Sequence, residues 1–410
     1  MAQQSSSSAF PRPPSAFEIS PLEYDFVAPQ RIVFGWGRRR ELGALAATLG
    51  KRAFVVSGSR TLEKNGLLAE LLQALESAQV EAVHVASISH EPEVCDVDVL
   101  AAQLFKMNAG VGDLVIGIGG GSAIDLAKAA AAMATNCQSS SVADYLEGVG
   151  RGYKISSPPL PILAVPTTAG TGSEATKNAV ISSYDPPFKK SLRADSMVPR
   201  IVLVDPELSV SVPPEVTAHT GMDAITQLIE SSISRRAKPI PRALCLQGLQ
   251  LAIPNLAMAV KNGSHRRARE AMAHAALLSG ITLANSGLGL AHGVAAALGA
   301  ECRVSHGLAC AVMLPVALRA NREISETHLA ELARAICPEA YSDDHAAATA
   351  FIDRIESLVA EIKIPTRLNQ LGIRREQIPA LVTGSHGNSL SGNPRDIGDA
   401  ELSAILESVW

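Results

Sequence analysis

The chain has 410 residues, of which 47% are hydrophobic, and this length corresponds to two or three domains with a sizeable buried core. Its formal net charge of −4 offers no basic excess for a polyanion, so we expect no nucleic-acid partner. The strongly apolar stretch at 160–165 is far shorter than the about 18 residues that cross a bilayer. The amino terminus has no signal-peptide pattern, so we expect a cytoplasmic protein without a membrane partner.

The first elements in chain order are a tail and an α/β domain. Residues 1–24 are rich in Ser, Ala and Pro without apolar periodicity, which predicts a disordered or extended tail. From 25 to 206, short β-branched runs alternate with amphipathic ones, which is typical of a parallel sheet covered by helices. The predicted strands and helices of this α/β domain are 52–57, 62–75, 81–88, 97–107, 114–118, 122–134, 161–165, 178–182 and 201–204.

The remaining sequence, 207–410, has a different spacing of apolar residues. Four long stretches, at 216–233, 241–260, 266–283 and 307–320, carry apolar residues at the three-and-four spacing of helices. Few β-branched runs lie between them, and we find no internal repeat of the kind that builds solenoids. The sequence therefore predicts an all-helical second domain.

A glycine-rich segment follows one predicted strand. Gly119, Gly120, Gly121 and Ser122, here called the glycine loop, lead into a predicted helix with Ser122 as its N-cap. Free amides and the positive helix dipole favour a phosphate at such a place, although tight packing alone would also select glycine. The acid that ordinary dinucleotide fingerprints place about 20 residues downstream is missing, because residues 138–141 read Gln-Ser-Ser-Ser.

A second polar segment follows the next strand. Residues 166–174, here called the threonine loop, include Thr167, Thr168, Thr171 and Ser173. Their hydroxyls suit a ligand backbone, and two such loops at strand ends predict one extended, phosphorylated ligand. The alternative is a hydroxyl-rich surface turn.

Six cysteines are scattered along the chain, and no two have the Cys-x-x-Cys spacing of a structural zinc site or redox dithiol. We expect reduced thiols. Cys302 and Cys310 flank a Ser-His-Gly motif at 305–307, but most buried cysteines are inert packing residues.

Several motifs occur in a fixed order along most of the chain. They closely resemble the iron-containing (group III) alcohol dehydrogenases, from about Phe26 to near the end. These motifs are the glycine loop with Asp125 and Lys128, the threonine loop with Glu174, Asp205-Pro206, Gly221-x-Asp223-Ala224 with Glu230, His292-Gly293, Ser305-His306-Gly307 and Asn393-Pro394-Arg395.

The resemblance implies a Rossmann-like dinucleotide-binding α/β domain and an all-α domain, the fold shared with dehydroquinate synthase, with NAD or NADP in the cleft between them. It also implies a homodimer or larger homo-oligomer. NAD-preferring relatives carry an aspartate where this chain reads Gly58-Ser59-Arg60, so NADP is an alternative in which Arg60 pairs with the 2′-phosphate. The implied cofactor-binding residues are Gly119, Gly120, Gly121, Ser122, Asp125, Thr167, Thr168, Thr171, Ser173 and Lys189.

The family's metal set is one aspartate and three histidines, and one of these histidines is replaced here. The implied ligands of a divalent iron or zinc ion are Asp223, Gln227, His292 and His306, and an amide carbonyl is a weaker ligand than imidazole. Asp223, His292 and His306 would act in catalysis through the metal, which polarises the substrate oxygen during hydride transfer. Relatives often carry a further histidine where this chain has Ala296, so the sequence identifies no proton donor there.

The predicted function is therefore a metal-dependent, NAD(P)-linked alcohol dehydrogenase or aldehyde reductase acting on a small alcohol or aldehyde. One alternative is a metal-independent reductase resembling maleylacetate reductase, for which Gln227 would mark loss of the ion. Others are a lyase resembling dehydroquinate synthase, which lacks this chain's threonine-loop pattern, and a non-catalytic nucleotide-binding protein. His219 and His274 are extra ligand candidates, or ordinary core or surface histidines.

The substrate is left open by the sequence. The Gln227 variant resembles a subset of the family that acts on small phosphonate-bearing aldehydes. Lys177, Arg193 and Arg303 are either contacts of an anionic substrate or solvated surface charges.

Overall fold

The computed structural model describes residues 23–58, 61–337 and 339–410. The predicted tail therefore lies outside the described residues except for Glu23 and Tyr24, and so does Arg60 with its suggested 2′-phosphate contact. The strands are β1 (Arg31–Phe34), β2 (Arg52–Ser57), β3 (Glu81–Ser87), β4 (Asp113–Gly119), β5 (Ile162–Pro166), β6 (Asn178–Tyr184), β7 (Pro187–Arg193) and β8 (Ile201–Val204).

The α-helices follow the same chain order. They are α1 (Leu42–Ala47), α2 (Thr61–Lys64), α3 (Leu67–Ser77), α4 (Val94–Lys106), α5 (Gly121–Met133), α6 (Pro214–Ile233), α7 (Pro239–Lys261), α8 (Arg266–Asn285), α9 (Leu290–Cys302), α10 (His306–Ile336), α11 (Asp344–Glu361), α12 (Ile378–Ser385) and α13 (Asp399–Ser408).

Six strands form one parallel sheet in the order β1-β8-β5-β4-β2-β3. The carboxyl ends of β4 and β5 are aligned, because Gly119 pairs with Pro166. Open α/β sheets bind their ligands in the crevice outside such ends. The glycine loop and the threonine loop leave these two ends, so the sheet places them side by side.

The central strands are buried on both faces, as expected for a parallel sheet between helix layers. Phe54 and Val115 belong to the core formed with α4 and α5. Their neighbours Val55 and Ile116 point to the opposite face, into the core formed with α1 and α3. This sheet with covering helices, followed by a helical part, confirms the predicted fold class.

The strand predicted at 178–182 lies outside the parallel sheet. It is β6, and it pairs antiparallel with β7 as a two-stranded sheet. Only the short turn between Tyr184 and Pro187 separates the two strands, whereas a parallel neighbour needs a long crossover. The strand β7, which carries Lys189, was absent from the predicted elements because its Lys-Lys-Ser centre lacks β-branched residues.

Most helices differ from their predicted bounds by one to three residues, and three of the predicted helices show the reasons or differ by more. The run predicted at 62–75 is divided into α2 and α3 by Gly66, whose φ of +77° is left-handed. α5 begins at Gly121, so Gly120 is its N-cap and Ser122 is its second residue. The helix predicted at 307–320 continues to Ile336, well beyond its most apolar stretch.

The helices α6 to α13 surround one continuous hydrophobic core. α6 lies at its centre, and all residues at 221–233 are buried. Polar side chains in such a place usually have hydrogen-bond or ion partners, so the carboxylates and the amide of Asp223, Glu230 and Gln227 stand out.

Among the described residues, the single helix α7 is long and apolar enough to span a membrane by length and composition alone. In the structure it packs against α6 and α8. Leu249, Ile253 and Leu256 are buried in the shared core, while Arg242 and Gln250 lie on its exposed face. Its apolar residues therefore serve the core of the helical part.

Candidate active site

A cavity of about 190 Å³ lies between the carboxyl edge of the sheet and the helical part. The glycine loop and the threonine loop form one wall, and residues of α6, α9 and α10 form another. The predicted site residues that line it are Gly121, Ser122, Asp125, Thr171, Ser173, Lys189, Gln227, His292 and His306.

The two loops are in direct contact, and this contact requires glycine. A Cβ atom on Gly121 would lie 2.7 Å from the side chain of Thr171, and one on Gly120 would lie 3.3 Å from Oγ1 of Thr168. Gly119 has a φ of +157° and its Cβ position would meet Gly58 at 2.8 Å. In the described part of the chain no side chain caps the start of α5, where Gly121 and Ser122 line the cavity, so the first amides of this helix are available to a phosphate.

Thr167 and Asp125 hold the loops in place. The Thr167 amide donates to the Gly119 carbonyl at 2.9 Å. Asp125 accepts a hydrogen bond from the Ser173 hydroxyl and another, at 3.0 Å, from the Val180 amide. Its carboxylate thus ties α5 to the threonine loop and to β6, besides lining the cavity.

Lys128 sits beneath this network and is fully buried. Its Nζ donates to Ser173 O at 2.9 Å and to Thr176 Oγ1 at 2.8 Å. Burial lowers the pKa of Lys128 to about 8, and burial raises the pKa of the neighbouring Glu174 to about 7. The base of the threonine loop is therefore built on buried ionisable groups.

Lys189 reaches the cavity from the β6–β7 hairpin. Its Nζ lies 2.7 Å from Oε1 of Glu91, and only 7% of its side chain is exposed. Burial alone would raise the pKa of Glu91, but the charge and hydrogen bond of Lys189 hold it below its ordinary value. The pair is an anchored cation and anion at the cavity wall, whereas sequence alone would suggest a solvated lysine.

On the helical side, Asp223, His292 and His306 converge; we call them the Asp-His-His cluster. Oδ1 of Asp223 is 3.3 Å from Nε2 of His292 and 3.7 Å from Nε2 of His306. Burial would raise the pKa of Asp223, but the facing imidazoles hold it below its ordinary value, so it is a carboxylate. Cys310 completes a group whose four ligand atoms all lie within 4.8 Å of one another.

The cluster leaves buried nitrogen atoms without partners. Among the described residues, Nε2 of His292 and Nδ1 of His306 have no hydrogen-bond partner. Burial lowers the pKa of His306, which favours the neutral ring. A buried carboxylate beside an unpartnered imidazole nitrogen is costly by itself and is the donor set that a divalent first-row metal binds. The residues present therefore fit a cation.

Glu230 fixes the ring of His292. Its Oε2 lies 2.7 Å from Nδ1 of His292, and its carboxylate also accepts amides of Gly289 at 3.0 Å and Ala291 at 2.7 Å. Because Nδ1 is engaged in this way, Nε2 faces Asp223. Such a carboxylate partner behind a histidine is typical of metal ligands and sets their tautomer.

Gln227, a predicted ligand, turns its amide nitrogen and not its carbonyl toward Asp223. Its Nε2 donates to Asp223 Oδ1 at 3.1 Å and to Thr171 O at 3.2 Å, while its Oε1 accepts from Ser279 Oγ at 2.7 Å. A carboxylate and a carbonyl can only accept, so the atom facing them has to be the amide nitrogen. The carbonyl that metal ligation needs thus faces Ser279, away from the cluster.

Of the other residues considered for substrate, proton or metal binding, some line the cavity and others lie elsewhere. Ala296 lines the cavity, as does Arg193, one of the three residues suggested for an anionic substrate. Lys177 pairs with Asp195 at 2.9 Å, and Arg303 lies over the ring of Tyr184. His219 and His274 lie outside the Asp-His-His cluster, and His274 packs edge-on against Phe34.

Two family profiles together match most of the chain. The profile described as iron-containing alcohol dehydrogenase matches residues 29–206, and that of the carboxyl-terminal part of Fe-containing alcohol dehydrogenases matches residues 217–410. The chain belongs to the iron-containing alcohol dehydrogenase family. This confirms the family prediction made from the motifs, and with it an oxidoreductase class whose members act on CH–OH groups.

Individual members of the family cover nearly all of the chain. Long-chain-alcohol dehydrogenase 1 of Geobacillus thermodenitrificans is 33% identical over 392 residues, 93% of this chain and 96% of that protein. The solved alcohol dehydrogenase from Oenococcus oeni has a TM-score of 0.87 at 30% identity, covering 95% of this chain and 100% of that one. Sulfoacetaldehyde reductase from Bifidobacterium kashiwanohense, solved with NAD+, has a TM-score of 0.82 at 31% identity, covering 95% and 99%.

Three residues of the site had no assigned role in the sequence analysis. Glu230 lies seven residues after Asp223 on α6, and Cys310 lies four residues after His306 on α10, so each follows a predicted ligand on the same helix face. This spacing was the available signal for both. Glu91 gave no signal, because only the hairpin brings Lys189 to it.

Proposed function

We propose that this family member is a metal-dependent, NAD(P)-linked alcohol dehydrogenase or aldehyde reductase. The nucleotide lies along the glycine and threonine loops, and the Asp-His-His cluster holds a divalent cation. The proposed nucleotide domain is 25–206 and the proposed metal and substrate domain is 207–410. The cytoplasmic location and homo-oligomeric assembly expected from the sequence stay predictions.

The observation that carries the proposal is the buried, unpartnered Nε2 of His292. It lies 3.3 Å from the Asp223 carboxylate, and Glu230 holds the opposite nitrogen of the same ring. Three independent elements, α6, α9 and α10, converge on this point at the cavity wall. A purely structural cluster would leave this nitrogen unsatisfied at a cost of about 1–3 kcal/mol.

The nucleotide side is supported by the contact between the loops. Gly121 and Thr171 leave no room for a Cβ between them, and Gly121 and Ser122 at the start of α5 line the cavity. This arrangement suits a pyrophosphate, as it does at other helix N-termini. The solved relative with NAD+ supports a nicotinamide nucleotide, and Lys189 supplies a fixed positive charge beside it.

A divalent cation held by Asp223, His292 and His306 supplies Lewis acidity to an alcohol or carbonyl oxygen when bound. The protein's own residues position it: Glu230 orients His292, and Asp223 provides the negative charge. The cavity lies between sheet and helices, so it would shield a substrate on both sides, and a nicotinamide nucleotide bound there would supply the hydride chemistry. Ala296 cannot exchange a proton, so position 296 takes no part in proton transfer.

The test is a panel of small aldehydes and alcohols scored by NADH and NADPH turnover. The full chain is stripped with a chelator and assayed with iron, with zinc and with no added metal. We expect turnover that disappears on stripping and returns with a divalent metal. Full turnover in stripped protein would instead support the metal-independent reductase, and nucleotide binding without turnover on any substrate would support a non-catalytic protein.

A further inference from the structure

Cys310 presents a fourth ligand atom, its sulfur, to the Asp-His-His cluster, whereas Gln227 presents only its amide nitrogen, which cannot bind a cation. The family's second ligand on α6 is replaced by Gln227, whose carbonyl accepts from Ser279. On α10, Cys310 follows His306 by four residues and so lies on the same helix face. Its Sγ is 3.7 Å from Nε2 of His306, and the thiol is fully buried.

We propose that Cys310 is a direct ligand of the cation and that Gln227 is a positioning residue. The site would then consist of one carboxylate, two imidazoles and one thiolate. The two ligands four residues apart on one helix would be His306 and Cys310 on α10, in place of the family's pair on α6. This inference rests on the proposed function, because it concerns the same cation. Binding of the cation releases the thiol proton to solvent, since a coordinating thiol is deprotonated.

The distances between the four side chains suit a small tetrahedral site. With bonds of about 2.1 Å to nitrogen and oxygen and about 2.3 Å to sulfur, ligand atoms of a tetrahedron lie about 3.4–3.6 Å apart. The observed separations are 3.3 Å from Asp223 to His292, 3.7 Å from Asp223 to His306 and 3.7 Å from His306 to Cys310. The other three pairs of ligand atoms lie within 4.8 Å of each other, so closing on one ion would bring these pairs nearer by about 1 Å at most.

The orientation of Gln227 is fixed by neighbours that cannot change roles. Asp223 and the Thr171 carbonyl both accept from its amide nitrogen, which leaves Oε1 to Ser279. If the amide were flipped, the Gln227 carbonyl oxygen would face the oxygens of Asp223 and Thr171, and none of these three atoms can donate a hydrogen bond. Gln227 thus holds the Asp223 carboxylate in place and links it to the threonine loop.

A thiolate changes the preferred metal. Soft sulfur ligands select zinc, and zinc also exceeds ferrous iron in affinity for most nitrogen, oxygen and sulfur sites. We therefore expect this chain to retain zinc in preference to iron when both are offered, despite its family name.

The experiment uses the full chain, stripped of metal and loaded with cobalt(II) or zinc. Cobalt(II) should give a near-ultraviolet thiolate-to-metal charge-transfer band, and X-ray absorption of the zinc form should show one sulfur at about 2.3 Å. Cys310→Ser should abolish the band and weaken zinc binding more than about 100-fold, since loss of an outer-shell partner already costs about 10- to 100-fold. Gln227→Leu should keep the band.

Cys245→Ser is the matched control, because Cys245 is equally buried but lies on α7, outside the cluster. It should leave the band and zinc affinity unchanged. The absence of a sulfur ligand in the wild-type zinc form overturns the inference, and this measurement decides the matter even if Cys310→Ser fails to fold. If the wild-type zinc form has no sulfur ligand but metal still restores turnover, the proposed function stands without the thiolate. Full turnover with no metal bound overturns both the thiolate inference and the proposed function.

Discussion

Glu230 and His292 form a buried carboxylate–imidazole pair, with 2.7 Å between Oε2 and Nδ1 and about 3% of each side chain exposed. The same carboxylate accepts the amides of Gly289 and Ala291 at the start of α9. One side chain of α6 therefore sets both the position of α9 and the nitrogen that His292 presents to Asp223.

Glu230→Gln is predicted to weaken zinc affinity about 10- to 100-fold, because the neutral amide no longer holds the His292 ring as a charged acceptor. The affinity is measured by competition with a chromophoric chelator. Glu215→Gln, an exposed substitution on the same helix, is the control and should leave it unchanged. Equal zinc affinities in the two variants would show that Glu230 does not support the metal site.

Gly121→Val is predicted to raise the KM for the nicotinamide nucleotide at least about tenfold, which corresponds to about 1.4 kcal/mol. Its Cβ would lie 2.7 Å from Thr171, so the two loops would have to separate. Zinc content should stay at the wild-type level. Gly110→Ala, whose added Cβ meets no atom within 4 Å, is the control for a new side chain near the sheet.

Lys189→Met is predicted to raise the nucleotide KM and to cost about 1 kcal/mol of stability, because the half-buried Glu91 carboxylate is left without its partner. Steady-state kinetics and urea denaturation measure the two effects. The double substitution with Glu91→Gln should recover stability without recovering the KM. Recovery of both would mean that Lys189 serves only the fold.

Glu174 is predicted to make stability depend on pH. Burial raises its pKa from 4.5 to about 7, so its contribution is complete below about pH 4.5 and is lost as the pH rises through 7. Glu174→Gln should therefore gain stability relative to the wild type, by up to about 3 kcal/mol, between about pH 5 and about pH 8. Urea denaturation at both pH values checks this, and a constant difference between the two proteins would contradict it.

Much of the fold was predictable because local patterns and tertiary structure agree. The buried runs of β2 and β8 have the bounds that their β-branched residues suggest, and glycine marks the turn from β4 into α5. The hairpin strand β7 was not predictable in this way, because its polar centre resembles a loop and its partner β6 alone identifies it.

In the site, the sequence predicted which residues come together but not how their side chains are oriented. Asp223, His292 and His306 could be expected near one another from the family motifs, and the structure brings them together. The direction of the Gln227 amide depends on Thr171 and Ser279, which are 56 and 52 positions away. Contacts over such separations are set by packing, and a single sequence carries no signal for them.

A metal titration of stripped protein, with nicotinamide turnover followed at fixed aldehyde concentration, tests directly whether the Asp-His-His cluster holds the cation that turnover needs. Stripped wild type should show no turnover, then a rise that saturates at one equivalent of divalent metal per chain, and Asp223→Asn should show no rise although that variant still binds the nucleotide. Turnover that is complete before any metal is added, or that Asp223→Asn retains, would contradict this role of the cluster.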